Sequence, residues 1–195
     1  MQTYAEAAAI LLQPNGVGIV PTDTVYGLVA RASDEQAVKR LYDLKGREGK
    51  PGTIIAANID QLAHLGIKAR YLRAVAEYWP GAISIVIPCG PELHYLHEGT
   101  NSLAVRLPDD AAVQKLLAQT GPLLTSSANH PGEPTATTIT EAEGYFGNKV
   151  DFYVDGGDLT GRQPSTIVRV VDDAIEVLRQ GAVQIENNGV KRDDI

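Results

Sequence analysis

Residues 16–20, Gly-Val-Gly-Ile-Val, form a short apolar run that breaks into Pro21-Thr22-Asp23-Thr24-Val25-Tyr26-Gly27-Leu28. After one intervening helix, about twenty residues on, comes the basic cluster Lys45-Gly46-Arg47-Glu48-Gly49-Lys50. An apolar run of this length reads as a buried strand, so Pro21 to Thr24 fall at its carboxyl end, where open α/β sheets place their ligands. Hydroxyls, a carboxylate and returning cations gathered there predict a small-molecule phosphate site.

The rest of the chain repeats this alternation. A helix over 3–13 stops at Pro14-Asn15-Gly16, and a second starts with Ser33 as N-cap and Gln36 completing a capping box. Its apolar face is Ala37, Val38, Leu41 and Leu44, which puts Lys45 and Arg47 at its C-terminal end, where the helix dipole favours cations. A strand at 53–57, helical turns at 59–65 and a helix over 69–79 ended by Pro80-Gly81 follow. Strands at 82–87 and 102–107 flank an irregular loop at 92–101. A helix over 109–119 precedes the buried strand 123–126, which opens into the loop 127–134. After a helix at 139–146, strands at 150–154, 165–171 and 174–178 read as antiparallel, so the sheet is expected to be mixed. Residues 186–195 have little to bury and read as a flexible tail after a single domain over 1–185.

At 195 residues the chain suits one domain. No apolar run approaches a membrane span, and the start, with Glu6 and no basic segment, reads as an amphipathic helix and not a signal peptide. A cytoplasmic protein is the expectation. The single Cys89 excludes an intramolecular disulfide and a cysteine-rich metal site, and reads as buried and inert. A net charge of −7 argues against strong direct nucleic-acid binding, which draws on many Lys/Arg–phosphate contacts. The charge is uneven: five cations stand against Asp43 and Glu48 between Lys39 and Lys50, while residues 151–195 hold nine acids against five cations. A basic patch on an acidic body fits a compact anion such as a nucleotide.

Four polar clusters interrupt apolar strands: Thr22-Asp23-Thr24; Lys45, Arg47 and Lys50; Ser102 with Arg106; and Thr125-Ser126-Ser127-Ala128-Asn129. Singly, each is as readily a set of local backbone hydrogen bonds or a solvated charged face. Their shared position at strand ends is what points to a site. No nucleophile elbow, Cys–His pattern or metal-ligand spacing is present, and His64, His94, His97 and His130 read as surface or loop residues. Neither a Walker loop nor the Rossmann glycine pattern occurs, so a nucleotide would depend on the cations of 45–50 and the hydroxyls of 125–127.

The phrases Pro-Thr-Asp-Thr-Val-Tyr-Gly-Leu, Leu-Lys-Gly-Arg-x-x-Lys-Pro, Ser-Leu-Ala-Val-Arg-Leu-Pro and Ser-Ser-Ala-Asn-x-x-Gly-x-Pro, in this order, resemble the YrdC-type threonylcarbamoyl-AMP synthases. The resemblance covers about residues 5–182, ending with Asp155-Gly156-Gly157, Pro164-Ser165-Thr166 and Arg179-Gln180-Gly181. It is closest to the short, single-domain bacterial form. It implies a single-domain α/β YrdC-like fold, a twisted mixed parallel/antiparallel sheet with helices and a concave substrate site. The implied reaction joins L-threonine, bicarbonate or CO2 and ATP, with Mg2+ carried by the ATP, to give threonylcarbamoyl-AMP and pyrophosphate. Downstream transferase proteins would use the product for the t6A modification of tRNA.

The same resemblance assigns roles. Lys45, Arg47 and Lys50 match a catalytic basic triad on the triphosphate, in keeping with the need to offset charge on leaving pyrophosphate. Arg47, Lys50, Ser102, Ser127, Asn129, Thr135 and Arg179 match ATP-binding positions. Thr24, Arg106, Thr125, Ser165 and Thr166 match threonine-binding positions, Arg106 suiting a carboxylate through its planar fork. No resident metal site is implied. The basic loop is one residue shorter than the common form, with Glu48 where Pro is usual, and Ile55 stands where some longer relatives carry His. The competing readings are a same-fold paralogue with another acceptor and a non-enzymatic RNA-binding module using the basic concave face.

Overall fold

The computed structural model describes residues 1–46, 49–171 and 174–185. Arg47 and the expected tail at 186–195 lie outside the described residues. Helix α1 (Tyr4–Leu11) opens on a capping box between Thr3 and Glu6. In α2 (Glu35–Lys45) the N-cap is Asp34, one residue beyond the expected Ser33. Its carboxylate caps Gln36 N and Ala37 N through Oδ1 and ties down Asn15 N through Oδ2, a double link that one hydroxyl could not make. Gly46, at φ 56°, ends α2 in the left-handed conformation.

Nine strands form one sheet: β1 (Val17–Pro21), β2 (Tyr26–Arg31), β3 (Thr53–Ile55), β4 (Ile83–Pro88), β5 (Ser102–Arg106), β6 (Leu123–Ser127), β7 (Phe152–Tyr153), β8 (Thr166–Val171) and β9 (Ala174–Arg179). Their order is β7-β1-β2-β6-β3-β5-β4-β8-β9. Pairs β1–β7, β3–β5 and β4–β8 are parallel and the others antiparallel, so the sheet is mixed as expected, but of the last three strands only β8 and β9 pair antiparallel, while β7 lies at the opposite edge, parallel to β1.

Strand β2 is a strand that the sequence pattern does not show. Gly27 and the hydroxyl-rich turn before it lower the local strand signal, yet the chain doubles back from Pro21 to Tyr26 and pairs Val17 with Ala30. The helix expected over 69–79 breaks into α4 (Ala69–Arg73) and a 3-10 turn at Ala76–Tyr78. The expected loop 92–101 contains part of a 3-10 turn, Pro91–Leu93, and the short helix α5 (His94–His97). Helices α3 (Ile59–His64), α6 (Ala111–Thr120) and α7 (Ile139–Phe146) complete the set.

The two faces of the sheet carry separate apolar clusters. On one, Ile19, Leu28, Ile54, Val105 and Leu124 pack with Val38 and Leu41 of α2 and Phe146 of α7. On the other, Val20, Val29, Ile55 and Leu123 pack under Leu11 of α1 and Leu116 and Leu117 of α6. This second cluster covers only part of its face. Side chains alternate along a strand, so Thr125 and Ser127 follow Leu123 on the same side, with Gly27 beside Ser127 and Thr53 beside both Thr125 and Ala104. Here small and polar residues replace the apolar ones, and a cavity opens over them.

Candidate functional site

The cavity is lined from four directions: the β1–β2 turn supplies Thr22 and Thr24, β6 supplies Thr125 to Ser127, β5 supplies Arg106, and the end of the chain supplies Ser165 and Arg179. Thr22 Oγ1 donates to Val25 O at 2.8 Å. A hydroxyl has one proton, so in the 3.0 Å contact between Thr22 and Thr24 the donor is Thr24. Thr24 Oγ1 is therefore left as an acceptor on the cavity wall, suited to an N–H or O–H of a ligand. At the floor, Thr125 is crowded by two glycines. A Cβ on Gly27 would stand 2.6 Å from Thr125 Oγ1, and one on Gly52 would stand 2.6 Å from Thr125 O. Neither position tolerates a side chain without moving that threonine.

Arg106 sits where the apolar and polar halves of the face meet, beside Ile55. Its side chain is 4% exposed, and Nη1 donates to Asp23 Oδ1 in an ion pair. Burial lowers the guanidinium pKa from its usual value, and the Asp23 charge opposes that shift. Nε is buried without a hydrogen-bond partner. Across the cavity, Ser165 and Ser84 share a 2.8 Å hydroxyl contact, and Arg179 Nη2 donates to Ser165 O at 2.7 Å. The Tyr26 phenol, whose pKa burial pushes up, accepts from Gly156 N and donates to Gly157 O, both at 2.8 Å.

A second concavity adjoins the first through Ser127, which lines both. It also takes in Lys45, Lys50 and Asn129. The Lys45 ammonium is buried and donates to Ser127 O at 2.8 Å, Asn129 O at 2.6 Å and Asn129 Oδ1 at 2.9 Å, three acceptors for its three protons. Asn129 Oδ1 also accepts from Ser127 Oγ at 2.7 Å, while Nδ2 donates to His130 O and Glu133 O. Lys45 and Asn129 together hold the 127–133 loop in shape. Lys45→Met is expected to cost about 1–3 kcal/mol, because it removes a charged donor from three acceptors of one loop. Thermal melts check this, and an unchanged melt would contradict it.

Of the residues singled out from sequence, Thr24, Arg106, Thr125, Ser127, Ser165 and Arg179 meet at the first cavity, and Lys45, Lys50, Ser127 and Asn129 at the second. Ser102 and Thr135 line neither. Ser102 is at the far end of β5 from Arg106, with its hydroxyl 3.4 Å from Thr100 O. Thr166 is fully buried behind the strand, where its hydroxyl accepts from Gly181 N and Val183 N and donates to Val183 O. Of the pair Ser165/Thr166, Ser165 faces the cavity. Arg47 lies outside the described residues.

His97 departs from the expectation of a surface or loop histidine. It is buried, with Nδ1 accepting from Gly99 N and Asn101 N, which assigns the proton to Nε2 and its donation to Gly90 O. Cys89 is partly buried, and burial pushes its thiol up to about 11, in keeping with an inert side chain. Sequence marks Asp23 as part of the Thr22–Thr24 cluster but not as the ion-pair partner of Arg106, and it does not mark Ser84. Ser84 carried a usable signal as a lone hydroxyl in the apolar run Ile83–Ile87. Among the described residues there is no group of three or more His, Cys, Asp or Glu disposed to hold a metal ion, and no helix long and apolar enough to cross a membrane.

A family model, Sua5/YciO/YrdC, described as "Telomere recombination", matches residues 10–181. The threonylcarbamoyl-AMP synthase of Bacillus subtilis is 34% identical over 187 residues, covering 92% of this chain and 54% of that protein. The threonylcarbamoyl-AMP synthase of Pseudomonas aeruginosa is 38% identical over 169 residues, covering 85% and 91%. This chain thus spans about half the Bacillus protein and most of the Pseudomonas one. Among solved structures, P. abyssi Sua5 complexed with L-threonine superposes with a TM-score of 0.79 at 29% identity, over 91% of this chain and 53% of that one. E. coli YciO shares the fold, with a TM-score of 0.80 at 24% identity over 94% and 91% of the two chains.

Proposed function

We propose that this chain, which belongs to the Sua5/YciO/YrdC family, makes L-threonylcarbamoyl-AMP and pyrophosphate from L-threonine, bicarbonate or CO2, and ATP, as the first step of t6A formation in tRNA. The observation that carries the proposal is the joining, through Ser127, of two concavities of different chemistry. One is walled by Thr24, Arg106 and Thr125; the other takes in Lys45 and Lys50. The first suits an amino acid and the second the phosphates of a nucleotide.

In this reading the threonine nitrogen, its ammonium proton released to solvent, attacks the carbon of CO2; one C=O bond opens onto oxygen and the nitrogen releases a second proton to solvent, giving a carbamate. A carbamate oxygen then attacks the α-phosphorus of ATP, and the bond to the departing pyrophosphate breaks. Lys50 and Arg47 offset charge on the pyrophosphate, and Mg2+ arrives with the ATP as part of that substrate. No residue of the cavity is assigned as a general base. The protein acts by holding two substrates at the junction of the concavities. The product passes to downstream transferase proteins acting on tRNA.

The pure protein incubated with ATP, bicarbonate and threonine is expected to form threonylcarbamoyl-AMP and pyrophosphate, and to form neither when any one is omitted. Failure with all three present would overturn the proposal. An RNA-binding module, by contrast, would show binding that falls steeply with salt and needs no threonine.

Selectivity tests the amino-acid side. Sites that hydrogen-bond a ligand hydroxyl reject the isostere lacking it, by about 10⁴-fold in favourable cases, so valine should be turned over far less than threonine. Thr24→Val is expected to raise the threonine requirement by about 1–3 kcal/mol while leaving the ATP requirement unchanged. Equal turnover of valine and threonine, or an equal loss for both substrates in Thr24→Val, would contradict this.

A further inference from the structure

Asp23 stands on the β1–β2 turn and reaches across to β5. Its Oδ1 accepts from Arg106 Nη1, and its Oδ2 accepts from Asp109 N at 3.3 Å. Both side chains are at most 6% exposed. A guanidinium offers five N–H donors in a plane, and Asp23 takes up Nη1 alone. Neither Nε nor Nη2 hydrogen-bonds a described residue, and Nε is buried. A buried donor left without a partner carries a penalty, which a ligand oxygen meeting it would remove. Arg106 lines the cavity with Thr24, whose hydroxyl is an acceptor.

We infer that Asp23 is a positioning residue: by clamping Nη1 it turns the Nε–Nη2 edge of Arg106 toward the carboxylate of the amino-acid substrate. The inference rests on the reading that the cavity takes threonine. It adds what sets the orientation of the arginine, and why a carboxylate sits beside a site meant for a carboxylate. Without Asp23 a buried Arg106 could rotate about its χ angles and present a single nitrogen. With it, the free edge is a two-donor fork of the kind that carboxylates accept bidentately. The neighbouring acceptor, Thr24, then falls to the ammonium or hydroxyl of the same ligand.

A merely structural ion pair, clipping the turn to β5, would affect every ligand alike. The test therefore compares L-threonine with L-threoninol, in which a hydroxymethyl group replaces the carboxylate. Binding of each, and of ATP, is measured calorimetrically to wild type, Asp23→Asn and Asp23→Glu. Wild type is expected to prefer threonine over threoninol by roughly 10- to 100-fold, the range for hydrogen bonds to a charged group. In Asp23→Asn that preference should shrink to within about threefold while ATP affinity holds, because the fork is no longer aimed. Asp23→Glu, which keeps the charge but shifts it by one methylene, should fall between the two, and serves as the informative arm if Asp23→Asn does not fold. A preserved preference in a folded variant overturns the inference, as does a loss shared equally by threonine, threoninol and ATP. Wild type binding no threonine at all would instead overturn the underlying assignment of function.

Discussion

Arg106→Met is expected to unfold the protein at markedly lower temperature, by roughly 6–20 °C for a chain of this size. The substitution leaves Asp23 buried, at 6% side-chain exposure, with no cation beside it. Breaking a buried pair from one side typically costs about 3–5 kcal/mol, since the stranded charge keeps its desolvation penalty. Removing both charges avoids that. The double variant Asp23→Leu/Arg106→Met should therefore recover most of the stability, because an apolar replacement of a buried pair is often neutral or stabilising. Under the proposed function it should remain inactive, because it lacks the guanidinium assigned to the substrate carboxylate. Thermal melts of the two variants, with product assays beside them, check both parts. A double variant as unstable as Arg106→Met would show that the pair is not the source of the loss.

Arg47→Ala is expected to lower product formation by at least about 10²-fold, the scale for removing one group that stabilises charge in a transition state. Lys45 already spends three donors on Ser127 and Asn129, so under the proposed function the triphosphate would be left to Lys50 and to Arg47, between them in sequence. A solvated surface charge would behave differently, its removal changing stability by under about 0.5 kcal/mol and activity hardly at all. Arg47→Lys should restore only part of the activity, since an ammonium supplies charge without the planar fork. ATP binding and product formation for the wild type and both variants, compared at equal fractional folding, decide the matter. Wild-type activity in Arg47→Ala would remove the arginine from the phosphate site.

The elements with their own strong local signals were legible without a structure. Helix α2 was visible from its apolar stripe Ala37, Val38, Leu41 and Leu44, and β6 from Leu123-Leu124 running into hydroxyls. The mixed sheet followed from the close turn between the last two strands, β8 and β9, which pair antiparallel. Strand β2 was not legible, because what makes Tyr26–Arg31 a strand is hydrogen bonding to β1 and β6 on either side, with Gly27 kept small for the Thr125 hydroxyl. The same limit applies to His97. Its residue type fits a surface as well as a core, and only the turn formed by Gly90, Gly99 and Asn101 supplies the partners that let it be buried.

For the site, residue type and order were enough to mark the Thr22–Thr24 turn, the basic cluster and the 125–129 loop, since hydroxyls and cations breaking into apolar strands are costly unless something uses them. Sequence could not divide their labour. Lys45 and Lys50 are both lysines near one loop, yet Lys45 is buried on loop carbonyls while Lys50 is exposed at the edge of the same concavity. Ser165 and Thr166 are adjacent hydroxyls, and strand alternation sends one to the cavity and the other to the backbone of 181–183. The partnership of Asp23 with Arg106 spans 83 residues. It exists because the order β1-β2-β6-β3-β5 brings a hairpin turn to the end of a distant strand, and a contact made by sheet topology leaves no periodic trace in the chain.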